Sequence, residues 1–203
     1  MKHLLKSRWV TDRGLLLQTG EATLAAYNRL LAADCAEVEA LVPGDGNLLV
    51  VLRPGFEPPQ NLAEWLEQPG GAAQANVDRA HELPVVFDGE DLDEVAKLAG
   101  WVRGRVVETL LGLDLRVQFL GFQPGFAYLR GLPKALCLPR RSHPRKRVPA
   151  GSLALGGGYC GVYPAQGPGG WHLIGHTECR LFDPNARPPT LFAPGDTVRL
   201  VAA

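Results

Sequence analysis

The chain has 203 residues with 21 Lys+Arg against 21 Asp+Glu, so no net field draws it to nucleic acid or to an anionic membrane. A hydrophobic share of 46% beside 21% charged residues is the balance of a chain that buries a core, which excludes wholesale disorder. The 24 Gly and 17 Pro concentrate in the second half, favouring turns and β architecture there, in one large domain or two small ones.

Trp9-Val10 and Leu15–Gln18 read as a short strand or hairpin around Asp12-Arg13-Gly14. Glu21 to Ala33 fits a helix, with apolar residues at Leu24, Tyr27, Leu30 and Leu31. Val38–Val42 and Leu48–Leu52 read as strands joined by the turn Pro43-Gly44-Asp45-Gly46-Asn47. Asn61 is placed to cap a short helix, Leu62–Glu67, that Pro69-Gly70-Gly71 stops. The order is that of a small ferredoxin-like α+β layer, with residues 70–79 as a linker and no catalytic constellation before it. Leu83–Phe87 reads as a strand, and Asp91–Gly100 as a helix with acids in its first turn and Lys97 in its last. A second helix follows over Trp101–Leu111, then a strand over Leu115–Phe122. Beyond it, Ser152–Leu155, Gly161–Tyr163, Trp171–Ile174, Thr190–Phe192 and Thr197–Val201 are short apolar runs between turns, the pattern of a barrel or sandwich.

The N-terminus, Met1 to Arg8, lacks an apolar secretory segment, and no run approaches the ~18 apolar residues of a membrane span, so a cytoplasmic protein is expected. Cys35, Cys137, Cys160 and Cys179 have no C-x-x-C spacing, which argues against a zinc or dithiol motif and for reduced, mostly buried thiols.

The stretch Phe119–Thr177 packs glycine, proline, aromatics and cations together, with acids almost absent until Glu178. Arg140, Arg141, Arg145, Lys146 and Arg147 put five cations in eight residues, stiffened by Pro139 and Pro144. A guanidinium fork there suits a carboxylate or phosphate, although a charge run is as often a solvated loop. Gly156-Gly157-Gly158 and Pro168-Gly169-Gly170 match neither a P-loop nor a dinucleotide fingerprint and are better read as turns. His172 and His176 flank Gly175 on what reads as a strand, where four residues span about 13 Å, too far to share one metal ion. Ser152 lies outside a G-x-S-x-G elbow and opens a strand, while Asp183 and Asp196 sit in turn contexts. No catalytic residue can be assigned.

The ordered motifs Leu120–Leu129, Leu138-Pro139-Arg140, Pro144-Arg145, Arg147–Ser152, Gly161–Pro164 and Pro168–Thr177 resemble the allophanate hydrolase subunit 1 (KipI) family. So do Pro84–Leu92 and the closing Pro194–Leu200. The resemblance implies a cyclophilin-like β-barrel over residues 83–203 behind a ferredoxin-like α+β domain over 1–82. It implies kinship with the B subunit of bacterial ATP-dependent 5-oxoprolinase, a hydrolase that opens 5-oxoproline to glutamate. There it pairs with a homologous cyclophilin-like C subunit, an A subunit completes the assembly, and this chain alone would be inactive. ATP, with Mg²⁺, is implied as the cofactor. Two alternatives share the family: a Kip-type inhibitor docking on a sporulation histidine kinase, and a module for another lactam or urea-like ligand.

On this resemblance Arg140 and Arg145 are the expected anion binders. The segments around Gly121, Phe122, Pro124, Gly125 and Phe126, and around Gly169, Gly170, Trp171, His176 and Thr177, are the expected pocket walls, with Ser152 beside them. Two departures bear on activity or substrate. Glu108–Val117 has no His where the family often carries one and Leu115 where it has Tyr, and Gly175-His176-Thr177 replaces a favoured Gly-Arg-Thr.

Overall fold

The computed structural model describes residues 6–60, 62 and 79–203, and the chain divides into two compact units, Met1–Asp78 and Arg79–Ala203. Arg79 to Glu82 go with the second unit, not with the first as a 1–82 boundary supposes. The reason is that Ala80 to Val85 form a strand paired along its whole length with Thr197 to Ala202.

In the first unit β1 (Ser7–Trp9), β2 (Gly14–Gln18), β3 (Val38–Pro43) and β4 (Asn47–Leu52) form an antiparallel sheet in the order β1-β2-β4-β3. On β4 Leu48, Val50 and Leu52 point to the core while their neighbours are half-buried, the period-2 pattern of a sheet covered on one face. The helix α1 (Thr23–Ala33) lays Ala26 and Leu30 on that face. A short 3-10 turn, Gly20–Ala22, precedes it, so the regular helix starts later than the expected Glu21. A helix on an antiparallel sheet is the α+β layer expected. Of the helix read over Leu62–Glu67 only Leu62 is described, and it packs in this core; the rest, with Asn61 and the linker up to residue 78, lies outside the described residues.

The second unit holds β5 (Ala80–Val85), α2 (Leu92–Ala99), α3 (Arg103–Leu111), β6 (Asp114–Leu120), β7 (Ala127–Arg130), β8 (Arg145–Val148), β9 (Ser152–Gly156), β10 (Tyr159–Val162), β11 (Gly167–Gly169), β12 (His172–His176) and β13 (Thr197–Ala202). Seven strands form a curled sheet in the order β12-β9-β10-β7-β6-β13-β5, while β8 and β11 make a separate ribbon. All pairs are antiparallel except β13 with β5. The two edges meet: Val86, just past β5, and His176, at the end of β12, exchange both backbone hydrogen bonds at 2.9 Å. That contact removes two open edges at once. It needs Gly89 and Gly175, because a Cβ at either position would collide with backbone of the facing segment. Leu83, Leu115, Val117, Leu129, Leu153, Leu155 and Leu200 fill the interior, and α2 and α3 close it with Leu92, Val95, Val106 and Leu110. This is the cyclophilin-like β-structure expected.

Three expectations about elements are corrected. Thr190–Phe192 is not a strand; Thr190 makes only an isolated bridge with Phe182. The basic segment is not all loop, since Arg145–Val148 is β8, paired with β11. The strand read over Leu115–Phe122 ends at Leu120, and a further strand, β7, begins at Ala127 inside the Leu120–Leu129 motif. Such short strands are held by their partners and carry little signal of their own. Among the described residues, no helix is long and apolar enough to cross a membrane.

Candidate functional site

The turn between β6 and β7 is shaped by two residues with left-handed backbone. Phe122 has φ 69° and Gly125 φ 83°, and a Cβ on Gly125 would come within 2.8 Å of Phe182 Cβ. Gly121 N–H donates to the Phe126 carbonyl at 3.1 Å and closes the turn. A phenylalanine at positive φ is uncommon and strained, and it persists only where packing holds it. Here the Phe122 ring lies edge-on to Phe126 at 5.5 Å and to Tyr163 at 6.1 Å, although its side chain is 58% exposed.

From Phe126 the ring contacts continue inward. Phe126 meets Tyr128, Tyr163 and Trp171 edge-to-face at 5.1–5.3 Å, and Tyr128 stacks on Phe119 at 4.3 Å beside Tyr159. Each edge-to-face pair adds about 0.5–1.5 kcal/mol beyond the area it buries. Glycines make the room. A Cβ on Gly156 would fall 2.6 Å from the Trp171 ring, and one on Gly169 would collide with the Tyr163 hydroxyl. Burial pushes the Tyr163 phenol up from its ordinary value, and a hydrogen bond with the Trp171 backbone only partly opposes this. Burial likewise raises Tyr128, against the pull of Arg140.

Arg140 is exposed at the rim of these rings, its charge felt by both tyrosines, its Nε 3.8 Å from where a Gly157 Cβ would stand. Among the described residues it has no hydrogen-bond or ion-pair partner. Gly157 and Gly158, φ 62° and 84°, form the two-residue turn between Gly156 and Tyr159. That is the paired left-handed geometry of a tight hairpin, so these glycines serve the turn.

Beside the rings stands an ionic hub that local sequence signals do not reveal. Asp91, 4% exposed, precedes α2 without capping it through its side chain. Its Oδ1 accepts from Arg141 Nη1 at 2.8 Å and Arg145 Nη2 at 2.7 Å, and its Oδ2 accepts from the Leu173 backbone N–H at 2.7 Å. The Asp91 N–H donates in turn to the Leu173 carbonyl at 2.9 Å. Arg141 also reaches Glu94 and Arg145 reaches Glu90, both at 2.8 Å. Burial works against the Arg145 charge, but the bonds and charges of Asp91 and Glu90 outweigh it and hold the guanidinium above its ordinary value. The buried His172 makes a 3.1 Å hydrogen bond from Nε2 to the Pro139 carbonyl, which it can form only as the donor. Arg141 Nε, Arg145 Nη1, His172 Nδ1 and Gln123 Oε1 are buried without a hydrogen-bond partner.

The structure therefore sorts the expected site residues. Gly121, Phe122, Pro124, Gly125 and Phe126 lie on the β6–β7 turn, Gly169 and Trp171 meet the same rings, and the Gly170 carbonyl accepts from Arg141 N–H at 2.7 Å. Arg140 joins them, whereas Arg145, expected as a free anion binder, has its fork engaged by two carboxylates of its own chain. Ser152 is buried at the start of β9, its carbonyl accepting from Tyr163 N–H at 3.0 Å. His176 and Thr177 lie at the other end of β12, beside a cavity of about 260 Å³ shared with Val86 and Cys179. His176 is tied to Asp88 by Nδ1 at 2.8 Å, and the buried Thr177 accepts from Cys179 N–H at 3.2 Å. Phe119, Tyr128, Tyr159 and Tyr163 escape a reading of the sequence because each looks like an ordinary strand residue. Asp91 reads there as a dipole residue; the signal that could find it is Gly89-Glu90-Asp91, a loop glycine and two acids ahead of a helix, in a chain whose acid-poor half needs partners for its arginines.

What can this arrangement do? An unengaged guanidinium at the edge of the aromatic cluster can hold a carboxylate or phosphate while a flat ring or amide lies on its accessible rings, Phe122, Tyr128 and Tyr159, with Phe126, Tyr163 and Trp171 buried behind them. The hub fixes β8 and β12, and with them Trp171, relative to α2.

Residues 6–192 match the family model described as carboxyltransferase domain, subdomain C and D. The chain is 44% identical over 191 residues to the B subunit of 5-oxoprolinase from Escherichia coli O157:H7, covering 88% of this chain and 87% of that protein. Among solved structures it resembles TTHA0988, with TM-score 0.78 and 37% identity over 94% of this chain, and spans 40% of that longer chain. The Kluyveromyces lactis urea carboxylase shares the fold at TM-score 0.72 and 18% identity, over 98% of this chain and 22% of that one. A model matched over nearly the whole chain, with a near full-length relative, places this protein in the family of carboxyltransferase domain, subdomain C and D, with the 5-oxoprolinase B subunit among its relatives.

Proposed function

We propose that this chain is the B subunit of an ATP-dependent 5-oxoprolinase, a hydrolase that opens the 5-oxoproline lactam to glutamate and works only when A and C subunits are present. The observation that carries the reading is the near full-length likeness to the B subunit of 5-oxoprolinase. The site geometry is compatible with it. 5-Oxoproline is a small ring bearing a carboxylate and an amide; Arg140 would take the carboxylate, and the exposed Phe122 with the half-buried Tyr128 and Tyr159 would take the ring, the buried Phe126 and Trp171 holding those rings in place.

A lactam carbonyl is a poor electrophile, and ATP would supply the activation by turning its oxygen into a leaving group. The exposed Arg140, Lys146 and Arg147 fit the charge of a phosphate. The donor set does not fit Mg²⁺: Asp91, Glu90 and Glu94 are engaged by arginines, and among the described residues no cluster of three acids, histidines or cysteines is placed to hold a metal. In this reading the nucleotide and its metal are bound mainly by the other subunits, and no step is assigned to them on this chain.

The test is 5-oxoproline-dependent ATP hydrolysis by the chain alone and after mixing with candidate A and C subunits. Turnover only in the mixture is expected. Stable complexes with no turnover in any mixture would overturn the reading and favour the kinase-inhibitor alternative.

A further inference from the structure

We propose that a second site, between the start of β5 and the segment after β12, binds a small acidic amino acid. The cavity there measures about 390 Å³, within the range of small-molecule sites, and is lined by Arg79, His81, Arg180 and Asp183 with walls that include Pro189 and Leu191. The residues of the aromatic site do not line it.

Its back is built rather than accidental. Asp196, 1% exposed, accepts from His81 Nε2 at 2.9 Å and from the Ala193 backbone N–H at 2.9 Å, with Arg79 Nε at 3.8 Å from its other oxygen. The His81 ring stands edge-on to Phe192 at 5.1 Å, so two contacts fix its plane. Asp196 belongs to Pro194-Gly195-Asp196, which from sequence reads only as a turn into the last strand. The buried carboxylate does cap that turn through Ala193 N–H, and it also orients an imidazole that lines a cavity.

The front supplies charge. Arg180 reaches Asp183 Oδ2 from Nη1 at 3.0 Å and donates from Nε to the Phe182 carbonyl at 3.3 Å, leaving the rest of its fork for another acceptor. Two guanidiniums and one carboxylate face the same space, with Asp196 behind His81. The complement is a molecule with two carboxylates and one ammonium on a short carbon chain: a carboxylate on each arginine, the ammonium on Asp183, the methylenes against Pro189 and Leu191. This inference stands on the cavity and does not rest on the oxoprolinase reading.

Isothermal titration of the full chain with L-glutamate tests it, with glutarate (no ammonium) as comparator. Saturable binding to the wild type is expected, weakened about tenfold or more by Arg180→Ala or Arg79→Ala, since each removes a charge-assisted pair. The Arg180 side chain is 70% exposed and that of Arg79 48%, so both variants are expected to keep the fold, and a melting curve verifies that. The proposal is overturned by absence of binding at millimolar L-glutamate, by wild-type affinity in Arg180→Ala or Arg79→Ala, or by glutarate binding as tightly as glutamate.

Discussion

Asp91→Ala should loosen the barrel at one defined place. The carboxylate binds two guanidiniums and one backbone amide, and its own side chain is only 6% exposed. Removing one partner of a buried ion pair costs about 3–5 kcal/mol, because the remaining charge stays desolvated. Arg141 and Arg145 keep Glu94 and Glu90, but those acids are 51% and 62% exposed and their pairs count for at most about 1 kcal/mol each. The orphaned Leu173 amide adds about 1–3 kcal/mol. Some relaxation of the exposed arginine ends offsets this, so a loss of about 3–5 kcal/mol is expected, and Asp91→Asn, which keeps an acceptor oxygen, should lose about half of it. Amide hydrogen exchange resolves the effect by segment. Protection should fall in β12 around Leu173 and in α2, while β2 and β4 of the first unit serve as the internal reference. Pairing with Arg145→Ala should give a double variant less damaged than the sum, since the two residues share one bond network. Wild-type protection at Leu173 in Asp91→Ala, or strict additivity with Arg145→Ala, would refute the hub.

Other expectations follow from the same geometry. Arg140→Ala should lower turnover of the assembled enzyme with an unchanged melting temperature, whereas Arg145→Ala should lower stability first; equal melting losses in both would refute a free Arg140 beside an engaged Arg145. Gly89→Ala forces a Cβ into the backbone of Ile174 and Gly175, and should cost about 1–3 kcal/mol or block folding of the second unit, read by urea unfolding. Cys160 is fully buried and burial pushes its thiol up to about 12, so iodoacetamide at pH 8 should label the exposed Cys137 and spare Cys160 until the chain is unfolded, as mass spectrometry would show. A raised folded pKa means the native state holds the proton more tightly than the unfolded chain. The contribution of Cys160 to stability is therefore present below pH about 9 and is lost as pH rises towards about 12, with Tyr128 and Tyr163 acting in the same direction.

Local rules make most elements readable. The hairpins of the first unit follow from alternation and from turn residues such as Pro43-Gly44-Asp45-Gly46-Asn47, and α2 ends at Gly100 with φ 70°, as a left-handed C-cap should. The segments around Gly121–Phe126 and Gly169–Trp171 are grouped in the sequence only by the family resemblance; that their rings touch depends on Gly156 and Gly169, where a Cβ would collide with Trp171 and Tyr163. Arg140 and Arg145, equal in sequence, cannot be told apart there. Which cation is free depends on where the acids of a segment some 50 residues earlier come to lie, with Asp91 and Arg145 54 positions apart.

Periodicity, turn chemistry and motif order are local properties, and they suffice to read this chain as α+β followed by short strands and to recognise its family. Three features are invisible at that level: Val86 closing the sheet on His176, Asp91 gathering Arg141, Arg145 and Leu173, and Asp196 holding His81 against a cavity. Each of these joins residues far apart in the chain across a curled sheet. Charge pairing and edge closure depend on distances that exist only once the sheet has curled.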